Sequence, residues 1–145
     1  MVIYYEDLSV GDTFEGGTYH VTESEIIEFA RTYDPQWFHT DPERAAESIY
    51  GGLIASGWHT AAMTMRMLVD EVLSEVASIG AKGVDELRWW HPVRPGDTLS
   101  IRNEVLETHP DGDDRGLVHV RTETIDGDGT VVYSMIGLVM VARRP

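Results

Sequence analysis

Asp34 and His39 lie five residues apart in the run Tyr33-Asp34-Pro35-Gln36-Trp37-Phe38-His39-Thr40-Asp41, and Gly51-Gly52-Leu53-Ile54-Ala55-Ser56-Gly57 follows shortly after. A carboxylate and an imidazole on one loop can hold a water molecule and move its proton, since imidazole near neutrality transfers protons in either direction. A helix starting at Gly57 would present unpaired backbone N–H groups, which steady negative charge developing on a thioester oxygen. Those three groups suffice to add water to an activated double bond, or to remove it.

Other chemistries are poorly served. The chain has no cysteine, which excludes thiolate catalysis, thiolate metal sites and disulfides. Ser56 lacks the Gly-x-Ser-x-Gly turn of a serine nucleophile and reads as the N-cap of the following helix. His20, His91, His109 and His119 carry no assigned role, and the histidines show no His-x-x-x-His or comparable spacing, so no metal is expected. The stretch Asp111 to Gly116 is only superficially like a calcium loop. Arg115 stands at its fifth position and Thr122 at the twelfth, where a bidentate Glu is needed.

The elements that must position Asp34 and His39 are legible. Thr22-Glu23-Ser24-Glu25 forms a capping box, predicting a helix from about Glu23 to Thr32, and Pro35 disfavours helical geometry at Asp34. Asp41-Pro42 should start a short helical turn through Ala46. From Ser56 to Ala77, Trp58, Ala61, Ala62, Met65, Val69, Val72, Leu73 and Val76 recur at helical spacing, with Thr60, Thr64, Asp70 and Glu71 on the other side. This predicts one long core helix. Thr13 to Val21 reads as extended, and later strands are expected at Val84–Val93, Thr98–Glu107, Leu117–Ile125 and Val131–Val141, the last covered on both faces. Turns at Arg94-Pro95-Gly96-Asp97 and Asp126-Gly127-Asp128-Gly129 separate them. Sequential antiparallel strands after one buried helix define an α+β domain, with a curved sheet wrapped about the helix.

Bulk composition agrees. The 145 residues suit a single domain, residues 1–145, and 42% hydrophobic content supports a folded core. No apolar run approaches membrane-spanning length and the N-terminus lacks a signal-peptide layout, so a cytoplasmic protein is expected. Net charge is −14, with 25 acidic against 11 basic residues and Lys82 the only lysine, which disfavours nucleic acid and anionic lipid as partners. This balance suggests adaptation to a high-salt cytoplasm, in which case the unfolding midpoint should rise between low and molar KCl.

The Asp34-to-Asp41 run, the stretch Gly51-Gly52-Leu53-Ile54-Ala55-Ser56-Gly57-Trp58-His59-Thr60 and the turn Trp90-His91-Pro92-Val93-Arg94-Pro95-Gly96-Asp97 together resemble the MaoC-like dehydratases. These are hotdog-fold relatives of the (R)-specific enoyl-CoA hydratases, and the resemblance extends from about Tyr5 to Val141. It implies a hotdog fold and an acyl-CoA thioester substrate, with coenzyme A part of the substrate and no separate cofactor. Asp34 and His39 would be the catalytic pair, and the Gly57 N–H the donor to the thioester oxygen. Ser56, Trp37 and His59 are candidates for contact with substrate, although Trp37 and His59 could equally be packed. The chain departs from the hydratase pattern Gly-Asp-x-Asn-Pro-aliphatic-His at Tyr33, Gln36 and Trp37. A homodimer is implied as well, because an open sheet edge is naturally closed across a two-fold axis. A hotdog thioesterase and a non-catalytic acyl-binding subunit are the alternatives.

Overall fold

The computed structural model describes the whole chain, Met1–Pro145. After a short 3₁₀ turn at Tyr5–Asp7 come β1 (Thr13–His20), α1 (Glu23–Tyr33), α2 (Trp37–Thr40), α3 (Pro42–Ala46) and α4 (Gly57–Leu68). A π-helical turn at Val69–Leu73 prolongs α4, and β2 (Ser78–Trp89), β3 (Thr98–Pro110), β4 (Arg115–Ile125) and β5 (Val131–Ala142) complete the fold. All strand pairings are antiparallel, in the order β1-β3-β4-β5-β2. The α+β arrangement inferred from the residue pattern is therefore present, with a fifth strand, β1, at one edge. No helix is long and apolar enough to cross a membrane.

Local chemistry explains the boundaries around the Asp34–His39 loop. Thr22 caps α1 by accepting the Glu25 N–H, and Asp41 caps α3 by accepting the Arg44 N–H, with Pro42 inside its first turn. Only half of the expected capping box forms. The Glu25 carboxylate turns away from Thr22 to accept from the Tyr19 hydroxyl and to face His59. The sequence pattern gave no sign of α2, the single helical turn that carries His39.

The buried face of α4 differs from the one that periodicity suggests. His59, Thr60, Met63, Thr64, Met67 and Leu68 are buried, and the core cluster around them includes Ile26, Leu99, Ile101 and Tyr133. Thr64 donates to the Thr60 carbonyl at 2.8 Å, so Thr124 must donate to Thr64 across 2.6 Å. Both hydroxyls are thereby satisfied, which removes the usual cost of burying them. In contrast, Trp58, Met65 and Val69 remain 58%, 45% and 44% exposed. The strand β2, at the other sheet edge, is exposed along nearly its whole length, and its pairing with β5 shifts register three times. Glu86 there adopts a left-handed φ of 49°, uncommon for a residue with a side chain. Nor is β5 sealed on both faces, since about half of its residues are only partly buried.

Candidate active site

The N–H of Asp34 closes the last turn of α1 on the Ala30 carbonyl, at 2.8 Å, while its own backbone leaves helical geometry. Pro35 follows and prevents the helix from continuing. The side chain is thus held at a fixed exit. His39 is 5% exposed, and its Nδ1 lies 2.8 Å from the Ile54 carbonyl. A carbonyl only accepts, so Nδ1 carries the proton and Nε2 is left to face Asp34 Oδ2 at 3.3 Å.

Ile54 is itself fastened. The segment Leu53–Ser56 is buried throughout, with Ile54 N–H bonded to the Phe38 carbonyl at 3.2 Å and Ala55 N–H to Val93 at 2.8 Å. The turn beyond Val93 is tied to the start of α1 through paired bonds of Val21 with Gly96 and Asp97, at 2.8 and 2.9 Å. The Pro-Gly-Asp turn therefore braces the loop that carries the catalytic candidates.

Ser56 joins the two halves of the site. Its hydroxyl donates to Asp34 Oδ2 at 2.8 Å and accepts the Trp58 N–H at 3.3 Å, so the N-cap of α4 also grips the carboxylate. Gln36 donates to Oδ1 at 2.7 Å. Burial alone would raise the Asp34 pKa, but the bonds from Gln36 and Ser56 and the nearby His39 outweigh it and hold the carboxyl below its ordinary value. Asp34 is consequently ionised at neutral pH. Ser56→Ala should move its pKa upward, read as a shift of the Asp34 carboxyl carbon in an NMR titration. The carboxylate's contribution to stability, present above its unfolded pKa and lost as pH falls through the folded one, should shrink accordingly.

Gly57 opens α4, and its N–H, at the first helical position, has no acceptor within the chain. A side chain here is impossible without movement, because a Cβ would lie 2.4 Å from Trp89 Cε2. The Trp89 indole N–H donates to the Gly57 carbonyl at 2.8 Å, fixing ring and peptide together.

Trp37 and His59 sit differently. Trp37 carries the Arg44 guanidinium over its ring at 4.5 Å and meets Phe38 edge-on. His59 stacks on Phe29 at 4.7 Å, with Nε2 3.3 Å from Glu25 and Nδ1 buried without a partner. Its one partnered nitrogen, Nε2, faces Glu25 and not Asp34 or His39. Burial holds the His59 pKa below its ordinary value, whereas burial and the Glu25 carboxylate push Tyr19 up to about 12. Gln36, which its residue type alone does not mark as a site residue, also holds the carboxylate. Its side-chain amide, two residues beyond Asp34, is near enough in the chain to donate to the carboxylate.

Asp34 Oδ2 and His39 Nε2 thus converge where a single water could bridge them, beside a helix start with a free amide. The antiparallel sheet packed on α4 is a hotdog fold. The MaoC like domain family matches residues 8–127, and the chain belongs to it. A MaoC-like dehydratase from Rhodospirillum rubrum superposes with a TM-score of 0.92 at 43% identity, over 99% of each chain. The R-hydratase PhaJ1 from Pseudomonas aeruginosa gives 0.80 at 28%, over 99% of this chain and 88% of its own. The uncharacterized protein YdeM of Bacillus subtilis is 27% identical over 138 residues, 95% of this chain and 98% of its own.

Proposed function

We propose that the protein is a hydro-lyase that adds water to a 2-enoyl-CoA thioester, or removes it from the (R)-3-hydroxyacyl-CoA. The observation that carries this reading is the convergence of Asp34 Oδ2 and His39 Nε2, 3.3 Å apart, with Ser56 linking them to the Gly57 amide. A water held by the pair loses a proton to it as its oxygen attacks the β-carbon. The α-carbon then takes a proton from the same pair, completing a syn addition. Charge on the thioester oxygen during this step is met by the Gly57 N–H, aided by the positive end of the α4 dipole. Membership of the family and likeness to an R-hydratase support the reading. An apolar cavity of about 220 Å³ lies between the sheet and the far part of α4, lined by Met65, Leu68, Val72, Val105, Val118 and Met135; Asp34, His39, Ser56 and Gly57 are not part of its wall. Loss of the enoyl absorbance of crotonyl-CoA tests the reaction, and release of free thiol from a saturated acyl-CoA would instead indicate thioester hydrolysis.

The active unit in this proposal is a homodimer, joined where β2 leaves its sheet edge open. Trp58, Met65 and Val69 of α4 and Ile79, Val84 and Trp89 of β2 leave an apolar surface that a second copy would cover. Light scattering should therefore give at least twice the 16.2 kDa chain mass. A monomer at any salt concentration that preserves activity would refute it.

A further inference from the structure

We propose that Glu107, His109 and His119 form a binding site for a divalent transition-metal ion, best suited to Zn²⁺, on the sheet face turned away from α4. Their ligand atoms lie within 4.8 Å of one another. His109 Nε2 is 3.2 Å from Glu107 Oε1, and His119 Nδ1 is 3.1 Å from Oε2. Zinc bonds of about 2.0–2.2 Å in a tetrahedron place neighbouring ligand atoms roughly 3.3–3.5 Å apart, so the two carboxylate–imidazole separations already fit, and the exposed Glu107 and His109 side chains close the wider remainder of the 4.8 Å spread by rotation. Two imidazoles and a carboxylate favour zinc, nickel or copper over magnesium or calcium, which prefer all-oxygen shells.

The backbone is shaped to bring these groups together. Along β3, Leu99, Ile101, Asn103 and Val105 all point into the core, and simple alternation would send residues 107 and 109 there too. A bulge intervenes. Val105 pairs with Val120, but the next partner of β4, His119, is met by Glu107, leaving Leu106 as the extra residue. The bulge re-aims Glu107 and His109 to the outer face, where His119 projects from between the core-facing Val118 and Val120.

Charge on that face favours a cation at this position. Two other acidic residues across the same strand pair are each matched by an arginine, Glu123 with Arg102 at 2.7 Å and Glu104 with Arg121 at 2.6 Å. Glu107 has only the two histidines as partners. A metal ion would complete the series, crosslinking β3 to β4 and leaving one or more coordination positions for water. The site rests on neither Asp34 nor His39 and is independent of the reaction proposed for them.

The test is calorimetric titration of the metal-free protein with ZnCl₂, alongside Glu107→Gln, His109→Ala, His119→Ala and the double variant His109→Ala/His119→Ala. All of these positions are at the surface or partly exposed. One equivalent should bind, and each single change should weaken binding at least about tenfold. Zinc should also raise the melting temperature of the wild type and leave that of the double variant unmoved. Substituted Co²⁺ should give a visible absorption band that disappears in the double variant. Absence of binding in the wild type, or one-equivalent binding that survives in the double variant, would overturn the assignment.

Discussion

Asp34→Asn is expected to lower crotonyl-CoA hydration by at least about 100-fold, and His39→Gln by a similar factor, the usual scale for deleting an acid–base group. The Asn side chain keeps the shape of the carboxylate but accepts from only one of Ser56 and Gln36, so the melting temperature at neutral pH should fall modestly, by the stability that the ionised carboxylate contributes. What disappears is the proton-accepting oxygen beside His39 Nε2. Gln at position 39 can place an amide where Nε2 now faces Asp34, but an amide cannot take up and return a proton as an imidazole does. Rates and circular dichroism spectra of the purified variants provide the check. Wild-type turnover in either variant would remove that residue from the mechanism. Unfolding of both would be uninformative about chemistry, which is why isosteric changes are preferred to alanine.

Gly57→Ala should be damaging in a second way. The added methyl would sit 2.4 Å from Trp89 Cε2 and 2.7 Å from its Nε1, well inside contact distance. Swinging the indole aside would break its N–H bond to the Gly57 carbonyl. Overpacking of this kind typically costs about 1–3 kcal/mol, and a displaced helix start would misplace the amide proposed to meet the thioester oxygen, for a further loss of about 100-fold in rate. Chemical denaturation and hydration rates of Gly57→Ala, Trp89→Ala and the double variant separate the two effects. The double variant should be more stable than the sum of the singles requires, because removing the ring makes room for the methyl. Unaltered stability and rate in Gly57→Ala would show that the close approach has no consequence.

The same residues show how far a linear reading reaches. The exit of α1 at Asp34, the cap at Ser56 and the start of α4 are local events governed by Pro35, by a hydroxyl and by unpaired amides, and each lies where its residue type indicates. The order of strands β3 to β5 likewise follows from alternation and turns. Orientation of α4 was not legible. Thr60 and Thr64 are polar by type yet buried, because their hydroxyls find partners in the helix itself and in Thr124, sixty residues further on from Thr64. The true destination of Glu25 was hidden for the same reason, since Tyr19 and His59 approach it only in the folded chain. The grouping of Glu107, His109 and His119 depends on a bulge and on cross-strand register, neither of which leaves a spacing signature.

Ser56 has one hydroxyl and gives it to two masters, a carboxylate from one loop and an amide from the helix that follows. The reacting end of the site is thereby locked as a unit, and its parts cannot drift independently. The residues around the apolar cavity carry no such obligation. Under the proposed reaction, related chains should keep Asp34, Ser56 and the start of α4 together, whereas cavity positions outside the dimer surface, such as Val72, are free to vary.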